Sequence, residues 1–308
     1  MNLLFSQENF SSEFKNLLGF VDADLKFNRL KSALKSATEE IIELIGRKQY
    51  ELLLHEVNDL SSNHREYIDL IKYAIALKAY IIYAPVADLA VTNNGRLMRR
   101  DEHNVSAFQW QIEANNEGLE RLYYRHLDTL LSYMVANDIE INQEKYRYSH
   151  LVIPNLATFE NYFNIEGSHY LYLRLIPALR EFEQNEILPR LGTELMQNKQ
   201  RQIEIGIFSN IQNAAVCYAM AWGIRRLNVQ LFPKGVLQTT QTTSQGTNKK
   251  QTARLEYWET AKIFEDDCAK YLLKVEKIID ATTKINTKNK ALKLPDLGFC
   301  QEDGFVDV

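Results

Sequence analysis

One unit is written twice in this chain, and that repeat limits the fold more than any composition figure does. Phe14, Asn16, Arg29, Leu30, Ala33, Leu34, Glu40, Ile41 and Gly46 recur in order as Phe159, Asn161, Arg174, Leu175, Ala178, Leu179, Glu186, Ile187 and Gly192, with one extra residue in the second copy. Ala74, Ala79, Gly95 and Leu97 then match Ala214, Ala219, Gly235 and Leu237, and Ala107, Glu113 and Leu127 match Ala253, Glu259 and Leu273. Sequences related in this way fold alike, and halves of about 150 residues are each long enough to bury a core. The division predicted is a first unit over 1–147, a second over 148–290 and a C-terminal tail over 291–308.

The repeat has helical period. Leu30, Ala33, Leu34, Ala37, Ile41, Leu44 and Ile45 fall mostly three and four residues apart, which puts them on one helix face, and Gly46 is a stop. The matching helix carries Leu175, Leu179, Phe182 and Ile187, with Ser168 as cap, Pro177 as a start or kink, and an end near Pro189 and Gly192. Second helices are expected over 65–83 and 203–227, and third helices over 104–134 and 252–279. The apolar stretch from Ile75 to Ala90 is interrupted by Lys78, Pro85 and Asp88 and reads as a buried helix rather than a membrane span.

Between the second and third helices, apolar residues flank Asn94-Gly95, a strong hairpin signal, and Lys234-Gly235 stands at the same place in copy two. The fold class predicted is therefore mainly α: two tandem helical units, each with a projecting loop or small β-hairpin between its second and third long helices. The tract Gln238–Gln251 is polar and unpatterned and is expected to be mobile, and Asp138–Ile153 reads as the linker between copies. In the tail, Pro295, Gly298 and Gly304 break any regular element, while Leu294, Leu297, Phe299 and Phe305 offer apolar anchors. Such a tail either stays disordered alone or docks on a partner.

Lys and Arg number 36 against 40 Asp and Glu, so no global field drives the chain onto nucleic acid or an anionic membrane. Basic groups cluster locally instead: Arg96, Arg99 and Arg100 in the first hairpin region, and Lys234, Lys249, Lys250 and Arg254 in the second. They are candidate contacts for DNA or an acidic partner, although exposed loops carry Lys and Arg in any case. Glu40 recurs as Glu186, which favours a repeated structural role such as pairing with Arg29 or Arg174. Cys217, Cys268 and Cys300 show no metal-ligand spacing and suit a reducing compartment, and the six histidines are scattered. With no phosphate loop, dinucleotide fingerprint or nucleophile elbow, no catalytic residue, metal or cofactor is expected. The N-terminus lacks a signal-peptide pattern, so a soluble protein, cytoplasmic or packaged from the cytoplasm, is expected.

A long first helix ending in ATEEIIELIG, a small-residue-rich second helix through KYAIALKAYIIYAPVADLAV, a projecting hairpin and a long third helix resemble the head-tail connector (adaptor) proteins of tailed bacteriophages. The duplicated connector or ring proteins of crAss-like phages are the nearest form. What this resemblance implies is a virion protein, assembled in the host cytoplasm, that forms a ring of about twelve copies by heterologous contacts. The ring would sit at the head-tail junction, with the portal protein, tail or further ring proteins, and the double-stranded DNA passing through its channel as partners. The alternative is a cytoplasmic helical interaction scaffold that is not part of a virion.

Overall fold

The computed structural model describes residues 2–21, 24–57, 64–87, 89–92, 95–98, 108–142, 145–146, 148–232 and 249–289. The chain is mainly α, and the two copies share the order of their long helices. Copy one consists of α1 (Phe10–Leu18), α2 (Phe27–Ile45), α3 (Arg47–Glu56), α4 (Arg65–Ala87), the strands β1 (Leu89–Thr92) and β2 (Gly95–Met98), and α5 (Gln109–Ala136). Copy two consists of α6 (Leu156–Glu160), α7 (His169–Phe182), a π-turn (Glu183–Ile187), α8 (Leu188–Gln197), α9 (Lys199–Glu204), α10 (Phe208–Arg226), a 3-10 turn (Val229–Leu231) and α11 (Lys249–Asn289). The strands pair antiparallel with Thr92 opposite Gly95, so the hairpin expected in copy one is present but its two-residue connection falls one position before the expected Asn94-Gly95 pair, and Gly95 begins β2.

In each copy the middle helix lies between the other two, and the buried side chains of both copies join in one core. α4 packs against α2, α5 and α1, and α10 packs against α7 and α11. α4 is long and apolar enough to cross a bilayer, yet Ile68, Ile71, Ile75 and Leu77 are fully buried within the protein. The alanines matched between copies, Ala74 with Ala214 and Ala79 with Ala219, are all fully buried where the helices approach closely. Gly223 is tighter still: a Cβ there would sit 2.6 Å from Leu175 Cδ2 on α7.

The extra residue of copy two lies in the π-turn. Leu30, Ala33 and Leu34 of α2 are buried as Leu175, Ala178 and Leu179 are in α7. Beyond the π-turn the phase is kept, with Ile187 as buried as Ile41. A π-turn holds one more residue than an α-turn, so the insertion widens the helix locally instead of turning everything after it by about 100°. The matched glycines break the helical path alike: Gly46, at φ 91°, ψ 146°, separates α2 from α3, and Gly192, at φ 71°, ψ 167°, kinks α8 from within. Side chains with a Cβ rarely adopt that conformation.

Several expectations need correction. The helix expected over 203–227 is split, because Gly206 at φ 77° separates α9 from α10 and the Asn198 side chain caps α9 by accepting from the Arg201 N–H. The third helix of copy two is longer than expected, so Lys249, Lys250 and Arg254 begin α11 instead of lying in a loop. The register of the third helices is also shifted by one. Burial matches Leu119, Tyr123, Leu127 and Leu130 of α5 to Phe264, Cys268, Leu272 and Val275 of α11; Leu127 is 1 % exposed, whereas its sequence match Leu273 is 50 % exposed.

Buried polar groups serve the chain entering each copy. In copy one Lys72 on α4 pairs with Glu13 on α1 at 2.6 Å and lies over the Phe5 ring. Its counterpart Gln212 on α10 donates to the Val152 carbonyl at 3.0 Å and accepts from the Tyr162 hydroxyl at 2.7 Å. The Val152 N–H in turn donates to Glu183 in the π-turn at 2.5 Å. A buried segment outside regular structure thus has both backbone groups satisfied by side chains.

Candidate functional site in the second copy

The equivalent grooves of the two copies are filled differently. In copy one, Glu40 on α2 accepts from Lys78 on α4 at 3.0 Å and from the Tyr123 hydroxyl on α5 at 3.0 Å, with Lys78 above the Tyr123 ring. Glu40 therefore binds Lys78 and Tyr123 rather than the expected Arg29. Burial, with the Glu40 carboxylate beside it, pushes the Tyr123 phenol well above its usual range. The chain leaving α5 folds back over this groove: the Asn142 N–H donates to the Leu44 carbonyl at 3.1 Å, and Lys145 pairs with Glu43. Tyr146, Tyr170 and Arg174 complete the cover and leave a space of about 160 Å³.

In copy two the same place is an open cleft of about 590 Å³. Tyr123 is replaced by Cys268, so less side-chain volume enters from α11, while Tyr218 on α10 takes the place of Lys78 on α4. Glu186, the counterpart of Glu40, pairs with Arg190 at 2.8 Å instead of Arg174, and Arg190 also reaches Glu276 on α11 at 2.7 Å. Glu181 accepts from the Tyr218 hydroxyl at 2.9 Å and from Trp222 Nε1 at 3.0 Å, which fixes the aromatic wall. Arg226 lies over the Trp222 ring at 5.0 Å, and Arg225 over Trp258 at 4.5 Å while it pairs with Glu265. Ala221, Ala269 and Leu272 form an apolar floor between these charged rims.

The cleft's thiols and its tyrosine are held in their neutral forms. Burial pushes the Cys268 thiol up to about 12, with Cys217 and Glu186 adding to the shift, and pushes Cys217 up to about 11, so both stay protonated near neutral pH. Burial and the bond to Glu181 hold the Tyr218 phenol at about 12. Among the described residues, no group of three His, Cys, Asp or Glu side chains could hold a metal ion.

The basic residues singled out in the sequence are not brought together in this cleft. Arg96 lies on β2 and Lys249, Lys250 and Arg254 in the first turns of α11, while Arg99, Arg100 and Lys234 lie outside the described residues, as do Leu294, Leu297, Phe299 and Phe305. Most of the 238–251 tract lies outside them too. Sequence reading missed the cleft because it arises from substitutions inside the repeat, Tyr123 to Cys268 and Lys78 to Tyr218. The first pair was hidden by the one-residue slip in the third helix.

These features define a mainly α protein built from a tandem duplication whose second copy carries an open cleft. The chain belongs to the family of unknown function DUF6712, which matches it twice, over residues 27–150 and 168–290. No curated protein and no solved structure matches the chain.

Proposed function

We propose that this protein is a head-tail connector of a tailed bacteriophage, a structural part that closes into a ring between portal and tail around the DNA channel. The observation that carries this reading is the exposure of large apolar side chains on the third helix of both copies. Phe108, Trp110 and Ile112 are exposed at the start of α5, and Trp258, Ile263 and Leu273 along α11. Exposed apolar side chains concentrated on one element call for a partner. Two copies that each expose apolar side chains on a third helix of non-identical sequence suit the heterologous contacts a ring needs. A net charge of −4 is compatible with DNA sliding through the channel, since a strongly basic lining would hold the duplex by counterion release.

The test is electron microscopy of the purified protein, alone and with portal protein, where closed rings of about twelve subunits are expected. In particles, Lys249→Glu combined with Lys250→Glu is expected to impair genome retention or docking with the fold intact. Particles that lack the protein and still retain DNA and attach tails normally would overturn the reading. A monomer that binds only a partner from outside the virion would replace it with the interaction scaffold.

A further inference from the structure

We infer that the open cleft of copy two is the seat of this chain's own C-terminal segment, residues 290–308. The template is inside the molecule. In copy one the groove between the first and third helices is closed by the chain that leaves the third helix, through Asn142, Lys145 and Tyr146. The repeat places Glu186 where Glu40 stands and Cys268 where Tyr123 stands, and the chain leaving the third helix of copy two is the C-terminal segment. Among the described residues no counterpart of that cover lines the cleft, because α11 runs on to Asn289 where the chain of copy one has already left its helix.

Reach, composition and charge agree with this assignment. From Leu272, which lines the cleft, α11 continues to Asn289, a rise of about 26 Å at 1.5 Å per residue. A returning extended strand covers that distance in about eight residues at 3.3 Å each. Leu297 and Phe299 are therefore the first apolar side chains to arrive at the floor of Ala221, Ala269 and Leu272 beside Trp222. From Pro295 onward the segment carries Asp296, Glu302, Asp303 and Asp307 and no Lys or Arg. Arg226, at the rim, is stacked on Trp222 and has no carboxylate bonded to it among the described residues. Arg190 and Arg225 are already paired with Glu186, Glu276 and Glu265, so apolar anchors followed by acidic residues match the apolar lining beside one rim cation, Arg226. This assignment does not depend on the ring: a monomer would close its cleft in the same way.

The test uses the full-length protein and amide hydrogen exchange read by mass spectrometry. Leu297→Asp combined with Phe299→Asp should raise exchange in the segments holding Glu186–Arg190 and Glu265–Glu276 by about fivefold or more, with copy one unchanged. A synthetic peptide of residues 290–308 should bind this variant saturably and restore protection. Arg226→Glu in the same variant should weaken that peptide at least about tenfold, or about 1.4 kcal/mol. Circular dichroism checks that the helices are retained. Unchanged exchange together with no saturable peptide binding would overturn the assignment. So would protection in the unaltered protein that appears only as concentration rises and dimers form, since the cleft would then hold the tail of another copy.

Discussion

Glu183 and Thr38 occupy the same place in the repeat and meet the same need in different ways. The Thr38 hydroxyl donates to the Leu34 carbonyl within its own helix at 2.7 Å, whereas Glu183 reaches across to the Val152 N–H. Burial raises the Glu183 carboxyl above its ordinary value of 4.5, and the Val152 N–H opposes that shift without cancelling it. The folded state therefore holds this proton more tightly than the unfolded chain does. The resulting stability is fully present below 4.5 and is lost as pH rises through the folded value. Glu183→Gln keeps an acceptor for Val152 and removes the ionisation. In urea unfolding the variant should equal or exceed the unaltered protein at pH 7.5, with the difference shrinking as pH falls toward 4.5. A difference that grows on acidification would show that the buried carboxylate is favoured in its ionised form.

At the scale of elements, the π-turn makes a prediction that an ordinary helix would not. Gln184 is exposed within it, and its removal leaves the one-residue-shorter spacing that copy one already uses. Deleting Gln184 should convert the π-turn to α-helix and change stability by less than about 1 kcal/mol. Deleting Glu39 from α2 should instead turn the buried Ile41, Ile42, Leu44 and Ile45 away from the core and cost more than about 4 kcal/mol. Thermal unfolding followed by circular dichroism distinguishes the two; equal losses would mean the π-turn holds a contact of its own. Much at this scale was legible in the sequence. The stop at Gly46, the break at Gly192, the cap at Ser168 and the presence of a hairpin in copy one each come from residues with one strong local preference, although the hairpin closes one residue before the expected Asn94-Gly95 pair. The third-helix register was not legible, because apolar residues three and four apart allow an alignment slipped by one, and only burial separates Leu272 from Leu273. Nor was the cleft, which depends on which side chains are missing from a shared space rather than on any residue present in a motif.

Across the whole molecule, the two copies are joined by more than the linker. Asp128 near the end of α5 accepts from the Tyr170 N–H at 2.8 Å and from the Ser168 hydroxyl at 3.2 Å, so a carboxylate of copy one caps the first turn of α7 in copy two. Tyr124 stacks on Tyr170 beside it, with ring centroids 5.7 Å apart. Asp128→Ala should cost about 1–2 kcal/mol and lower the urea m-value, because the copies would begin to unfold separately. A loss of stability with an unchanged m-value would show that the cap acts only within α7. The segment running through Val152 has a further consequence for where the duplication can be cut. The family match in copy two begins at 168, but Glu183 and Gln212 both spend their buried polar atoms on Val152, and Tyr172 donates its hydroxyl to the Ile153 carbonyl. A half severed at the start of that match would strand three polar side chains inside its own core, so the unit that was inherited twice is longer than the stretch its sequence relatives share.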